Sequence, residues 1–213
     1  MTVKGYIKEY DGGCLTIVAP FTNDYLLQKQ GISECEIRLD DGRKISADQR
    51  KKIYATMRDI SEYSGHTPDE IKEFLKYDYI ANTGADSFSL SNVDMTTANS
   101  FLTFIIDFCI EHEIPTDDNL ADLSPDIGRY VYKCLAEKKS CVSRRKAELH
   151  HVDAIGMGRN RKDVIHRGMR VLPLTRKEHT EIHTIGYREF MDKYHVCAIK
   201  LDSYLCDIWK VGR

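Results

Sequence analysis

Four histidines in the C-terminal third of the chain have the type and spacing expected of a metal-dependent hydrolytic site. His150 and His151 are adjacent, and about 28 residues later His179 and His183 follow, four residues apart. Side chains four residues apart lie one turn apart on the same face of a helix, so both can reach one cation. Hydrolysis of a phosphodiester requires a nucleophilic water, a general base and a cation that stabilises the leaving oxyanion. The four histidines offer a candidate base and candidate cation ligands.

Two strands and a helix must position these histidines. Residues 146–151 are predicted to form a strand that ends at the histidine pair, and residues 169–174 a second strand. Thr175 and Glu178 have capping-box spacing, which predicts that a helix starts at Thr175. Adjacent side chains on a strand point to opposite faces. One histidine of the pair can therefore join the metal while its neighbour faces the substrate.

The histidines lie in a basic part of the chain. Residues 138–190 carry 13 Lys or Arg against 6 Asp or Glu, whereas the remainder carries 18 against 27. A solvated surface would explain each basic residue alone, but the cluster beside the histidines favours contact with a polyanion. The residues predicted to contact DNA phosphates are Arg144, Arg145, Lys146, Arg159, Arg161, Lys162, Arg167 and Arg170.

The first 137 residues carry no catalytic pattern and are predicted to form a small sheet followed by helices. In residues 1–45, apolar and β-branched runs are separated by Asp-Gly turn signals, which is typical of a hairpin. In residues 46–137, Ser46 with Gln49 and Thr67 with Glu70 have capping-box spacing before apolar runs. We predict an α+β protein with two domains: a β/helical domain at 1–137 and a metal-binding domain at 138–213.

The composition predicts a cytoplasmic protein with no membrane partner. The sequence has 42% hydrophobic and 30% charged residues, and no apolar run approaches the roughly 20 residues that span a bilayer. The N-terminal residues do not form a secretory signal. Seven scattered cysteines without a C-x-x-C pair disfavour both a cysteine-based zinc site and a disulfide framework.

The order of strand, loop, strand and helix, with HH followed by H-x-x-x-H, resembles the HNH or ββα-metal endonucleases, and its second half is similar to the colicin-type DNases. The resemblance implies that residues 138–213 form an HNH nuclease module with a C-terminal extension. It also implies that His150, His179 and His183 bind one divalent metal ion, with Zn, Mg, Mn and Ni as candidates. His151 matches the general base, which activates water for in-line attack on phosphorus and leaves 5′-phosphate and 3′-hydroxyl ends.

One position departs from the resemblance. The asparagine expected before the run VLPL is Arg170 in this sequence. In the colicin-type branch that asparagine is structural, and the H-x-x-x-H pair supplies the ligands. The departure therefore bears on the geometry of the loop and the ordering of His151 more than on metal binding.

Two further resemblances extend over the rest of the chain. The whole sequence, including the GMGRNRKD loop and the KYHV tail, is similar to HNH nucleases encoded in the replication–recombination region of phages of Gram-positive bacteria. Residues 40–116 resemble the NinB/Orf family of lambdoid phage recombination mediators, which implies that the β/helical domain at 1–137 is a DNA-engaging domain that binds single strands. Together they imply a DNA endonuclease of phage recombination or replication, located in the host cytoplasm, with single-stranded, duplex or branched DNA as its substrate. Candidate partners are a second copy of the chain and a phage or host single-strand-binding protein.

Other interpretations of the histidines are open at the level of sequence. The chain could be a non-catalytic single-stranded-DNA-binding mediator with a structural metal site, or the histidines could be unrelated surface residues. Three histidine ligands leave an open coordination position, which catalysis needs and a structural site does not. His166, the fifth histidine of the region, could be a phosphate donor, a support for another site residue or a bystander.

Overall fold

The computed structural model describes residues 5–21, 37, 42–153 and 165–212. Within these residues the fold is α+β, as predicted, with eight helices and two antiparallel sheets. In chain order the elements are β1 (Tyr6–Tyr10), β2 (Leu15–Val18), α1 (Ala47–Ser64), α2 (Pro68–Thr83), α3 (Met95–Glu111), α4 (Leu120–Leu123), α5 (Ile127–Ala136), β3 (Glu148–His151), β4 (Arg170–Leu174), α6 (Arg176–Ile185), α7 (Tyr187–Tyr194), β5 (Ile199–Lys200) and α8 (Ser203–Trp209).

The first two helices begin at the predicted caps. The Ser46 hydroxyl accepts a hydrogen bond from the Gln49 backbone N–H at 3.1 Å, and the Gln49 side chain accepts from the Ser46 N–H at 3.0 Å. Thr67 and Glu70 form the same reciprocal pair before α2. Each box satisfies two backbone donors that no helical carbonyl can reach, which fixes where the helix starts.

The hydrophobic core connects the helical part to the histidine-bearing part. Helices α1, α2 and α3 pack together, and α5 packs against α3 and also against β4, β5 and α8. Buried residues form one cluster that includes Phe101 of α3, Val131 of α5 and Leu172 of β4. The core is therefore continuous across the predicted boundary at residue 138, and the division into two domains stays a prediction.

The second sheet has the order β3-β4-β5, with antiparallel neighbours. His150 and His151 of β3 lie opposite Leu172 and Val171 of β4. Helix α6 packs across β3 and β4. This β3–β4–α6 unit is the predicted strand, loop, strand and helix arrangement, and it brings the H-x-x-x-H helix over the histidine pair.

Parts of the predicted structure lie outside the described residues. Arg159, Arg161 and Lys162 lie among them, as do residues 22–36 and 38–41 of the predicted N-terminal sheet. Near the N-terminus, β1 and β2 pair as a hairpin around the Asp11-Gly12-Gly13 turn. In the described segments, no helix is both long enough and apolar enough to cross a membrane.

Candidate metal centre

Helix α6 is anchored firmly where it starts. Its N-cap Thr175 and Glu178 form the predicted capping box, in which the Glu178 carboxylate accepts from the Thr175 N–H at 2.6 Å. The same buried carboxylate accepts a hydrogen bond from the Ser140 hydroxyl at 2.6 Å. The first turn of α6 is thereby tied to the segment before β3. This attachment fixes the position of His179 and His183 relative to β3.

Three histidines converge between β3 and α6. The ring centroids of His150 and His179 lie 4.5 Å apart, and His183 lies 5.1 Å from each of them. One nitrogen from each ring falls within 4.8 Å of the other two. Metal–nitrogen bonds of 2.0–2.1 Å in tetrahedral geometry place ligand nitrogens about 3.3 Å apart. Small side-chain rotations would bring the three histidine nitrogens to that separation. Among the described residues, no other group of three His, Cys, Asp or Glu side chains is placed to hold a metal.

The donor atoms fit a divalent cation. The Nδ1 atoms of His150 and His179 are buried, and neither forms a hydrogen bond with a described residue. A buried polar atom without a partner is costly, and coordination would supply one. Burial lowers the pKa of His150 to about 4, with smaller contributions from His179 and His183. The imidazole is therefore neutral near pH 7, which is the form that binds metals. Nitrogen ligands suit Zn²⁺, Ni²⁺ and Mn²⁺ better than Mg²⁺.

Glu148 adds a negative charge at the edge of the cluster. Its carboxylate lies 3.6 Å from Nδ1 of His179, which is too long for a hydrogen bond, and 3.4 Å from the Arg176 guanidinium. The side chain is about half exposed. The Glu148 carboxylate favours a cation beside His179 but does not form a hydrogen bond with Nδ1 of His179.

His151 lies apart from the three converging histidines, as strand alternation predicts. Its Nε2 is 2.8 Å from Nδ1 of His166, and the two ring centroids are 4.8 Å apart. A pocket of about 280 Å³ is nevertheless lined by both members of the histidine pair, together with His183 and Tyr187. The predicted base and two of the three converging histidines, His150 and His183, thus border one cavity. A second pocket, of about 260 Å³, lies along α6 between Arg176 and His183.

Arg170 braces the two ends of the β3–β4 connection. Its backbone N–H donates to Asp153 at 2.6 Å, and its guanidinium donates two hydrogen bonds to the same carboxylate at 3.0 and 2.8 Å. This pairing lowers the pKa of Asp153. The guanidinium carbon also lies 6.0 Å from the centre of the Tyr187 ring, which lines the pocket. The residue at the motif asparagine position therefore joins the strand ends beside His151.

The other predicted DNA-contact residues lie in different settings. The Arg144 guanidinium is half-buried and donates to the backbone carbonyl of Ile114 at 2.9 Å, so it supports the segment after α3. Arg145, Lys146 and Arg167 are exposed. The side chain of Arg170 is 48% exposed despite its pairing with Asp153. DNA contact by these residues, and by the three in the undescribed loop, stays a prediction.

Sequence reasoning did not identify the junction between α6 and α7 as part of the site. Gly186 and Tyr187 line the pocket beside His151. Gly186 has φ 89° and ψ 159°, a conformation that is essentially restricted to glycine, and it turns the chain directly from one helix into the next. The local signal was a glycine immediately after an amphipathic helix. Such a glycine predicts a helix end but not that the end borders a cavity.

Two antiparallel strands and a helix bring three histidines together at one point. This is a ββα-metal arrangement. The chain belongs to the family described as "Putative HNHc nuclease", which matches residues 19–212. The predicted HNH membership is confirmed, and it indicates a nuclease. The match includes the helical part as well as the histidine-bearing part; the NinB/Orf resemblance of residues 40–116 stays a prediction. A comparison with curated proteins and one with solved structures gave no significant match.

Proposed function

We propose that the protein is a metal-dependent endonuclease that hydrolyses DNA phosphodiester bonds. The observation that carries the proposal is the convergence of His150, His179 and His183. Buried ring nitrogens of His150 and His179 have no hydrogen-bond partner among the described residues. His151 borders the same pocket from the adjacent strand position. Membership of an HNH nuclease family supports the same chemistry.

In this proposal, three of the four histidines bind the cation and the fourth acts as the general base. His150, His179 and His183 would hold one divalent cation. When bound, the cation stabilises negative charge on the phosphate and on the departing 3′ oxygen. His151 accepts a proton from the attacking water as the new oxygen–phosphorus bond forms and the bond to the 3′ oxygen breaks. The products carry a 5′-phosphate and, after the leaving oxygen is protonated, a 3′-hydroxyl.

DNA is the substrate that the charge distribution favours. Exposed Arg145, Lys146 and Arg167 lie in the segment with a local charge of +7, in a chain whose net charge is −2. Such residues contact phosphates without reading base sequence, so they fit duplex, single-stranded or branched DNA. A role in phage recombination or replication is supported by the sequence resemblance.

A cleavage assay tests the proposal. Supercoiled and circular single-stranded DNA are incubated with the protein in Mg²⁺, Mn²⁺, Ni²⁺ or Zn²⁺, with an EDTA control. Loss of a general base costs about 10²–10⁴-fold in rate, so His151→Ala should cut at least 100-fold more slowly. His66→Ala, an exposed histidine before α2, is the matched control and should cut at the wild-type rate. The proposal is wrong if no metal supports cleavage, or if His151→Ala cuts as fast as wild type.

The mediator alternative predicts a different outcome. A protein that binds single-stranded DNA and a metal, but cuts DNA with none of the four cations, would favour a structural metal site. Calorimetric titration separates the roles of individual histidines. His179→Ala should weaken metal binding, whereas His151→Ala should leave it nearly unchanged; the reverse result would exchange the two roles.

A further inference from the structure

We propose that Tyr187 is a specificity-determining residue of the candidate site. In this inference the Tyr187 ring stacks on the base of an unpaired nucleotide beside the scissile phosphate, so that the site favours single-stranded or branched DNA over uninterrupted duplex. The inference rests on the proposed function, because it names the DNA structure on which that nuclease would act. It assigns a role to a residue outside the four histidines.

The pocket that Tyr187 lines has two kinds of lining side chain. One kind is the imidazole of three site histidines, and the other is apolar, from Val152, Ile182 and Tyr187. A phosphate has no apolar surface, whereas the face of a nucleobase stacks on aromatic rings. The pocket volume of about 280 Å³ corresponds to roughly nine waters at about 30 Å³ each, which is enough space for one base. The lining therefore fits a nucleotide better than it fits a phosphate alone.

The backbone and the neighbouring side chains fix the position of Tyr187. Gly186 turns the chain directly from α6 into α7, so Tyr187 begins α7 next to the end of the helix that carries His183. The Tyr187 side chain packs in part against the hydrophobic core, and the Arg170 guanidinium carbon lies 6.0 Å from the centre of its ring. Arg170 is itself held by two side-chain hydrogen bonds to Asp153. A ring that is already held in place loses less conformational entropy when a base stacks on it.

Tyr194, at the other end of α7, has the contacts of a structural tyrosine and differs from Tyr187. The Tyr194 hydroxyl donates to the Glu181 carboxylate at 2.9 and 3.1 Å, and its ring centroid lies 4.7 Å from that of Phe190. The Tyr187 hydroxyl forms no hydrogen bond with a described residue, and its ring lies beside the Arg170 guanidinium. Packing within the fold therefore does not account for the choice of tyrosine at position 187.

The need for a free base face explains the preference among DNA structures. In a duplex, neighbouring base pairs cover both faces of each base, so a base must leave the stack before it can contact Tyr187. The free-energy cost of that step is smallest where the nucleotide is already unpaired. Stacking of one base on an aromatic ring strengthens binding by about 5- to 100-fold. The exposed basic residues supply no such preference, because phosphates occur in every DNA structure.

Cleavage of matched oligonucleotides tests the inference. The values of kcat and KM are measured for a single strand and for the duplex of the same sequence, with the cation that best supports cleavage. We expect wild type to favour the single strand. Tyr187→Leu should lower kcat/KM on the single strand by about 5- to 100-fold, mainly through a higher KM, and should change the duplex value by less than about threefold.

Two further variants separate the ring from the hydroxyl and from a general surface effect. Tyr187→Phe keeps the ring and should stay within about threefold of wild type on both substrates. Tyr204→Leu removes an exposed tyrosine of α8 and is the matched control, so it should behave as wild type. Equal losses of Tyr187→Leu on single strand and duplex would show that Tyr187 only supports the site. Equal losses in Tyr187→Phe and Tyr187→Leu would show that the hydroxyl acts instead. Either result, or a wild-type preference for duplex, would overturn the inference.

Photo-crosslinking gives a readout that does not depend on cleavage. A single strand that contains iodouracil is irradiated with the protein in EDTA, and the crosslinked peptides are identified by mass spectrometry. We expect a crosslink at Tyr187 and none at Tyr204. A crosslinked strand without modification of Tyr187 would overturn the inference even if the protein cuts DNA. Absence of cleavage with every cation and every DNA would instead refute the proposed function, whereas a crosslink at Tyr187 in that case would still place a base in the pocket.

Discussion

The free energy of unfolding of the metal-free protein should fall as the pH is lowered from about 6.5 to about 4, because His150 is buried in its neutral form. Burial, together with His179 and His183, lowers its pKa to about 4, whereas an unfolded histidine titrates near 6.5. Between these values the unfolded chain carries a proton that the native protein excludes, so stability rises with pH across this window. The contribution is complete above about pH 6.5 and lost by about pH 4. One pKa unit is about 1.36 kcal/mol, so this difference of about 2.5 units is worth at most about 3.4 kcal/mol.

Urea unfolding in EDTA at several pH values between 7.5 and 4 measures this contribution. His150→Leu is the comparison, since leucine keeps the site apolar but takes up no proton. Asp59 and Asp107, whose pKa values are raised by burial, titrate in both proteins and cancel in the difference. We expect wild type to lose about 1–3 kcal/mol more than the variant over this range. A difference between the two proteins that does not change with pH would refute the claim that His150 is buried in its neutral form.

The proposed metal ligands, the Asp153–Arg170 pair and Gly186 give further measurable expectations. A cation at 100 times its dissociation constant should stabilise the fold by about 2.7 kcal/mol, seen as a raised Tm; His179→Ala should lose this shift and His151→Ala should keep it. Arg170→Ala and Asp153→Ala should slow cleavage to a similar extent, and a double-mutant cycle should show that their effects do not add; additive effects would indicate that Arg170 contacts DNA separately. Gly186→Ala should cost about 1–3 kcal/mol in urea unfolding, because its backbone conformation is nearly exclusive to glycine; unchanged stability would contradict this.

The scaffold of the site was predictable because the interactions that define it are local in sequence. The capping box of Thr175 and Glu178 spans three residues, so it sets the start of α6 whatever surrounds it. The four-residue spacing of His179 and His183 then fixes which face of the helix they share. Strand alternation likewise separates His150 from His151. These short-range rules were sufficient to anticipate the converging histidines.

The support around the site was not predictable because it depends on contacts between distant residues. The carboxylate of Asp153 binds Arg170, which lies 17 positions further along the chain. Arg144 is of a residue type that often contacts phosphates, but it donates to the backbone carbonyl of Ile114, 30 positions before it. Residue type gave no basis for choosing between a solvated arginine and one that binds a backbone carbonyl. His166 and His151 are 15 positions apart, so no local pattern predicts their contact.

The most direct test of the central claim is the rate of supercoiled DNA cleavage as a divalent cation is titrated into protein stripped with EDTA. The wild-type rate should be negligible without added cation and should rise to a plateau as the site fills. His179→Ala should need a much higher cation concentration to reach half of its own maximal rate, because it has lost one of the three ligands. Equal cleavage before and after cation addition, or identical titration curves for the two proteins, would contradict the account.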